Sequence, residues 1–374
     1  MNLLIYLTFL LFSLGQLGRL SFFDQTINGY AYEIPMFGIL VYLFFRFRLN
    51  PIKKALKHFP IFFWFIGILS LSYVLSFFSF SLVQNTTSIL YLFRLIFYLS
   101  FFAYLCYFAK HETHLRKTLT YGIIIYSVLT VIVSFIQYFL YPDLRNLLYL
   151  GWDPHLARMF GLFFDTSVAA AIYGLLFFFF FDRYNLPFIS LFFAGFILTF
   201  SRSAYIVLTI LIFFHFISQK KFALLLIFLA AFLIAVLIAP KQFGEGVNLK
   251  RTFSIQSRLN DYKEAIEIWK KSPILGVGYN RIRYVKPNSP TGHAAASFSS
   301  SYLIILTTGG ILGLLGFMGV LGKLWLISGK ARGIVVFLAA LSFADNIILH
   351  PFILFLVGAV IMVSINPLSG KSLR

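Results

Sequence analysis

The chain has 374 residues, 60% of them hydrophobic and 20% aromatic, with only 11% charged and a mean hydropathy of +0.88. No single aqueous core of this size buries so much apolar surface, so a soluble globular fold is excluded and an all-α polytopic membrane bundle is expected. The net charge of +19 invites a nucleic-acid reading, but most Lys and Arg residues sit in short loops between apolar runs, which is the signature of membrane topology, and no nucleic-acid partner is expected.

At about 20 apolar residues per span, with shorter and tilted ones allowed, twelve runs stand out: 3–18, 31–47, 60–78, 88–109, 118–140, 166–181, 186–200, 203–218, 222–239, 299–321, 333–349 and 351–366. The first lacks a basic leader and a small-residue cleavage site, so it reads as a span and not as a signal peptide. Counted alternately, the loops of one side receive 16 Lys and Arg residues and the short loops of the other only four, which puts both termini in the cytoplasm. The chain is then one integral membrane domain, 1–374, with a large extracytoplasmic loop at 240–298 between the ninth and tenth spans. That loop holds ten further basic residues, an excess on the disfavoured side that points to an anionic ligand.

Arg94 lies inside the fourth span, where a charge is costly and normally faces a cavity or a partner. Within the loop, Leu259, Tyr262, Ile266 and Trp269 recur at helical spacing among charged residues, predicting an amphipathic helix over 256–271 that Pro273 closes. The structural alternative is a helix that lies on the membrane surface and caps the bundle. The following Ile-Leu-Gly-Val-Gly-Tyr-Asn reads as a turn, since its glycines follow a helix and fall short of a dinucleotide fingerprint. Arg281, Arg283 and Lys286 read as a general electrostatic attraction for a polyanion. Asp165 is placed to cap the sixth span, and Asp345 with Asn346, inside the eleventh, to make a polar contact between helices.

The single cysteine, Cys106, rules out an internal disulfide and a cysteine metal site, and the seven histidines lack zinc spacing. No phosphate-binding loop, nucleophile elbow or calcium loop occurs. No metal and no cofactor is expected.

Four segments together carry a resemblance. They are Arg158-Met-Phe-Gly-Leu-Phe-Phe-Asp165-Thr-Ser-Val-Ala-Ala, Thr199-Phe-Ser-Arg202-Ser-Ala, Arg258 with Trp269, Pro273, Gly276 and Gly278, and the run from Ser299 through Tyr302 and Gly310 to Gly313. In order and spacing this chain resembles the bacterial O-antigen ligase and polysaccharide polymerase superfamily, over about residues 155 to 320.

The resemblance implies a glycosyltransferase of the bacterial cytoplasmic (inner) membrane that needs neither a nucleotide sugar nor a metal. It would move a glycan from an undecaprenyl-pyrophosphate carrier to a hydroxyl of a lipid or glycan acceptor on the outer side, with membrane lipids as surroundings. Arginines of the family hold the pyrophosphate, a role that falls here on Arg202, Arg258 and Arg158. A loop histidine of the family assists the attacking hydroxyl. Its usual place, just before the Tyr-Leu of the tenth span, is taken here by Ser299 and Ser300, so the nearest candidate is His293. The serine pair is similar to polymerase-type members and leaves ligase and polymerase both open.

Each residue also has a plainer reading. Arg202 could anchor the end of a span, Arg258 could be a solvated helix residue, Arg158 could snorkel to the interface, and His293 could be a solvated loop residue. His155, His215 and His350 read as span-edge residues. A transporter or flippase for a lipid-linked sugar is the rival from another class; it predicts paired repeats, broken helices and midplane charges, whereas the sequence shows no repeat and few such charges.

Overall fold

The structure is a computed structural model, which describes residues 1–23, 27–109, 112, 114–181, 183, 185–240, 247–249, 252–286 and 297–364. His293 lies outside the described residues. The helices are α1 (Asn2–Phe12), α2 (Glu33–Phe47), α3 (Asn50–His58), α4 (Pro60–Leu75), α5 (Leu82–Phe108), α6 (Leu115–Leu140), α7 (Thr166–Phe181), α8 (Leu186–Leu198), α9 (Arg202–Ser218), α10 (Phe222–Ile238), α11 (Phe253–Lys271), α12 (Ile282–Val285), α13 (Ser301–Ile327), α14 (Arg332–Leu341) and α15 (Pro351–Ser364). Apolar runs of this kind close every backbone hydrogen bond within the segment, as a hydrocarbon surrounding demands.

α5, α6 and α13 are each long and apolar enough to cross a membrane, and α3 with α4 makes a further candidate bent by 99°. The other apolar helices have 10–17 residues. α7 is apolar all round and buried almost throughout, as a central helix should be. α10 is its opposite: only Leu225 is buried, and Leu226, Ile227, Leu233 and Leu237 lie exposed, a surface that suits lipid.

Three features depart from the pattern of apolar runs. A short antiparallel pair, β1 (Arg19–Phe22) and β2 (Ile27–Tyr30), lies between the first two helices, with Arg19 opposite Tyr30. The run at 333–349 is not one helix: α14 ends at Leu341, and residues 342–350 form an open segment before α15. α13 is broken at Gly310, whose φ of 63° and ψ of −163° no helix contains.

The break in α13 explains two of the sequence motifs at once. The turn that follows α11 is inserted into it, so that Val277 and Gly278 donate backbone N–H groups to the carbonyls of Thr307 (2.9 Å) and Thr308 (3.1 Å). In return the carbonyls of Pro273 and Ile274 accept from the N–H groups of Ile311 (2.9 Å) and Leu312 (3.3 Å). Ser72 on α4 adds a hydroxyl bond to the Thr308 carbonyl at 2.7 Å. Helix groups that the break would orphan are thereby satisfied, without which each would cost about 1–3 kcal/mol. Glycine is required on both sides: a Cβ on Gly310 would stand 2.2 Å from the Ile274 carbonyl, and one on Gly276, at φ 70°, 2.5 Å from the Thr307 oxygen. Trp269 closes the turn from α11 by donating its indole N–H to the Pro273 carbonyl at 3.0 Å.

Candidate functional site

Four segments meet at one end of the bundle, and the first two, 157–165 before α7 and 199–202 between α8 and α9, hold three strained residues. Ala157 (φ 55°), Phe164 (φ 56°) and Phe200 (φ 50°) occupy the left-handed region, which non-glycine residues rarely adopt. They immediately precede Arg158, Asp165 and the Ser201-Arg202 pair. Such strain survives only where the surroundings hold it, and it clusters at functional sites.

What holds it is visible for Phe200. Arg158, only 7% exposed, donates from Nε to the Thr199 carbonyl at 2.8 Å and from a terminal nitrogen to the Phe200 carbonyl at 3.3 Å. The Met159 N–H bonds to the Leu198 carbonyl at 2.8 Å. The segment before α7 therefore ties off the C-terminal end of α8 and presents Arg202 at the first position of α9. Arg202 donates to the Leu249 carbonyl at 3.1 Å.

The third segment is α11, whose start lies close to the predicted helix but whose packed face does not match. Ala265 and Ile268 are buried on the face that meets α13, with Arg258 and Asp261 on the same side. Leu259 (51%) and Tyr262 (37%) of the predicted apolar stripe stay exposed. Charged residues on the inner side find partners. Asp261 accepts the Ser299 N–H at 2.9 Å, and Lys286 pairs with Asp261 at 3.3 Å and Glu264 at 3.4 Å.

The open segment 342–350 is the fourth, and its Asp345 gathers the others. One carboxylate oxygen accepts from Arg258 at 2.7 Å and from the Ser167 hydroxyl at 3.1 Å; the second accepts from the Ser203 hydroxyl at 2.6 Å. α7, α9 and α11 are thus fastened to one carboxylate. Ser301 at the start of α13 joins the same segment, donating its hydroxyl to the Asn346 side chain at 3.1 Å. Arg202 and Arg258 are close enough for each charge to act on the other. Asp165 stands just outside α7, where its Oδ1 accepts from the N–H groups of Ser167 (2.6 Å) and Val168 (3.2 Å), the capping role expected of it. Its carboxyl is pushed up to about 6, first by the low-dielectric surroundings, then by the negative charge of Asp153 and, less, that of Asp345, against the two N–H bonds that favour the anion.

The predicted site residues thus divide. Arg202, Arg258 and Arg158 are brought to one end of the bundle, with Arg158 committed to backbone carbonyls. The expectation that Arg281 and Lys286 attract a polyanion is corrected. Arg281 is fully buried, bonded to the Tyr73 carbonyl (3.1 Å), Ser76 and Asn85, with Tyr73 and Phe80 rings against its guanidinium. Lys286 is neutralised by its two carboxylates. Arg94 has a partner, Glu33 at 3.0 Å, and the stacked rings of Tyr30 and Tyr91. Asp345 is the member whose central place the sequence does not announce. Among the described residues, no group of three or more His, Cys, Asp or Glu residues could hold a metal ion.

A helical membrane protein in which one arginine is ion-paired with a buried carboxylate and a second lies within reach of its charge, where helix ends and an open segment meet, is the class that these elements define. Residues 187–318 match the family model of the O-antigen ligases. This part of the chain, which includes Arg202, Arg258, the Trp269–Gly278 turn and the break in α13, is thus similar to the O-antigen ligase family. The match indicates a ligase or polymerase type of function in polysaccharide assembly. No curated protein matches the chain.

Proposed function

We propose that this protein transfers a glycan from an undecaprenyl-pyrophosphate carrier to an acceptor hydroxyl at the outer face of the bacterial inner membrane. The observation that carries the reading is that Arg258, ion-paired with Asp345, lies close enough to Arg202 for its charge to act there, both arginines falling inside the stretch that matches the O-antigen ligase family. A pyrophosphate leaving group gains negative charge as its bond to the sugar breaks. Guanidinium groups neutralise that charge through two parallel hydrogen bonds, and most strongly where water is excluded. Arg258 is held by one carboxylate oxygen and keeps donors for an incoming phosphate. Arg158 completes the arrangement by fixing the turn that presents Arg202.

The twelve-span topology belongs to this proposal. Its support is that the ends tied together at the site, the starts of α7, α9 and α13 and the end of α8, are the ones that alternate counting places outside, together with the 240–298 loop. His293, in that loop, remains a candidate to assist the hydroxyl.

A second reading, a repeat-unit polymerase, is favoured by Ser299 and Ser300 standing where the family commonly carries a His-Asn or His-Ser pair. Purified protein given a lipid-linked oligosaccharide, with and without a separate lipid acceptor, decides between them. Chain elongation from the lipid-linked oligosaccharide alone identifies a polymerase, and transfer only when the second acceptor is supplied identifies a ligase. Transfer that persists in Arg202→Ala and Arg258→Ala would refute the arginine assignment.

A further inference from the structure

Glycan transfer requires a group that removes the acceptor's proton, and the position of Asp165 suits that task. Its Oδ1 is fixed by the two N–H groups at the start of α7, while Oδ2 has no hydrogen-bond partner among the described residues, and the side chain is partly accessible. The neighbouring carboxylate cannot substitute for it. Both oxygens of Asp345 are occupied, one by Arg258 and Ser167 and the other by Ser203. The two acids are adjacent through Ser167, whose N–H serves Asp165 and whose hydroxyl serves Asp345. One carboxylate is therefore bound to the arginine, and the other, a residue pair away, presents a free oxygen.

We propose that Asp165, through Oδ2, is the base that takes the proton from the acceptor hydroxyl. The proposal rests on the glycosyl-transfer reading above. In the step, the acceptor O–H proton moves to Oδ2 and the oxygen's electron pair forms the bond to the anomeric carbon. The bond from that carbon to the pyrophosphate oxygen breaks, and its electron pair leaves with the undecaprenyl pyrophosphate. Negative charge thus vanishes from Asp165 as it grows on a leaving group facing Arg202 and Arg258. The proton then passes to water or to the departing phosphate, restoring the carboxylate.

Strain and electrostatics agree with this placement. Phe164 holds a left-handed backbone directly before Asp165, Thr166 directly after it is 2% exposed, and the N–H groups of Ser167 and Val168 hold Oδ1 in place. A base with its affinity for protons raised to about 6 is mostly ionised at neutral pH yet takes a proton readily.

The test uses full-length protein in detergent, a lipid-linked oligosaccharide donor and an alcohol acceptor. Asp165→Asn keeps the Oδ1 acceptor and removes the base. It is expected to lower kcat by about 10²–10⁴-fold while binding undecaprenyl pyrophosphate as the wild type does. Asp165→Glu should recover part of the loss. The wild-type kcat/KM should rise with pH through about 6, a limb absent from Asp165→Asn. Transfer by Asp165→Asn within a few-fold of wild type, retention of the acid limb, or an equal loss of pyrophosphate binding overturns the assignment. Should Asp165→Asn not yield folded protein, Asp165→Glu carries the comparison: a displaced limb supports the base and an unmoved one overturns it. Absence of transfer by the wild type from any lipid-linked donor overturns the functional reading itself, which undiminished transfer by Asp165→Asn leaves standing.

Discussion

Asp345 bonds three side chains from three different elements, so its loss is felt as several losses at once. Removing one partner of a largely buried ion pair costs about 3–5 kcal/mol, because the charge left behind has neither water nor counter-ion. Asp345→Ala is accordingly expected to destabilise the protein by that amount, measured as thermal unfolding in detergent, and to expose α11 to protease. A drop below about 1 kcal/mol would mean that the pair is solvated. Asp165 predicts the opposite sign. Its folded affinity for a proton is raised, so the stability it lends is present at low pH and is lost as pH climbs through about 6. Asp165→Asn should therefore be more stable than wild type at pH about 8, with the difference shrinking as pH falls below about 6. The burial of Arg281 and the pairing of Lys286 had no counterpart in the pattern of residues, because composition reports that a charge exists and not what surrounds it.

Two elements carry the structural logic. The turn 273–278 and the break at Gly310 are halves of one joint: each supplies the backbone groups that the other lacks. Broken helices are common in transporters, where the gap holds substrate; here the chain's own turn fills it. Gly310→Ala sets a Cβ against the Ile274 carbonyl at a φ that disfavours it, and a loss of about 2–4 kcal/mol is expected in the same unfolding assay. An unchanged midpoint would show that the turn is not seated in the break. The extent of α11 follows closely from its periodicity, Phe253–Lys271 against 256–271, and so does the turn after it. Its orientation does not follow. Periodicity marks an apolar stripe without saying whether protein or lipid meets it, and in a membrane protein the apolar side is free to face outward while Arg258 and Asp261 turn inward. The open segment 342–350 was hidden for a related reason: its residues are apolar enough to extend a span, and only the contacts of Asp345 and Ser301 reveal that the backbone has left the helix there.

For the molecule as a whole, hydropathy was sufficient to mark a largely helical chain with membrane-length runs, of which α5, α6 and α13 have the length and composition of spans; the twelve-span count and the side of the long loop stay with the proposal. The convergence of Arg202 with Arg258 is long-range, and only the family resemblance pointed to it. Sidedness has its own test. A cysteine at Lys263 should react with a membrane-impermeant maleimide in intact cells, after the cell envelope is made passable to the reagent, whereas one at Lys53 should react only once the inner membrane is opened. The reverse pattern would turn the site toward the cytoplasm, away from any acceptor of a surface glycan.

The functional reading stands on two guanidinium groups sharing a diphosphate. Equilibrium binding of a polyprenyl pyrophosphate to the purified protein reads this directly, without acceptor or turnover. Loss of a charge-assisted contact is worth about 1.5–3 kcal/mol, so Arg202→Ala and Arg258→Ala should each weaken binding by roughly 10- to 100-fold while the monophosphate binds poorly to all three proteins. Binding of equal strength in the wild type and both variants would show that the pyrophosphate lies elsewhere.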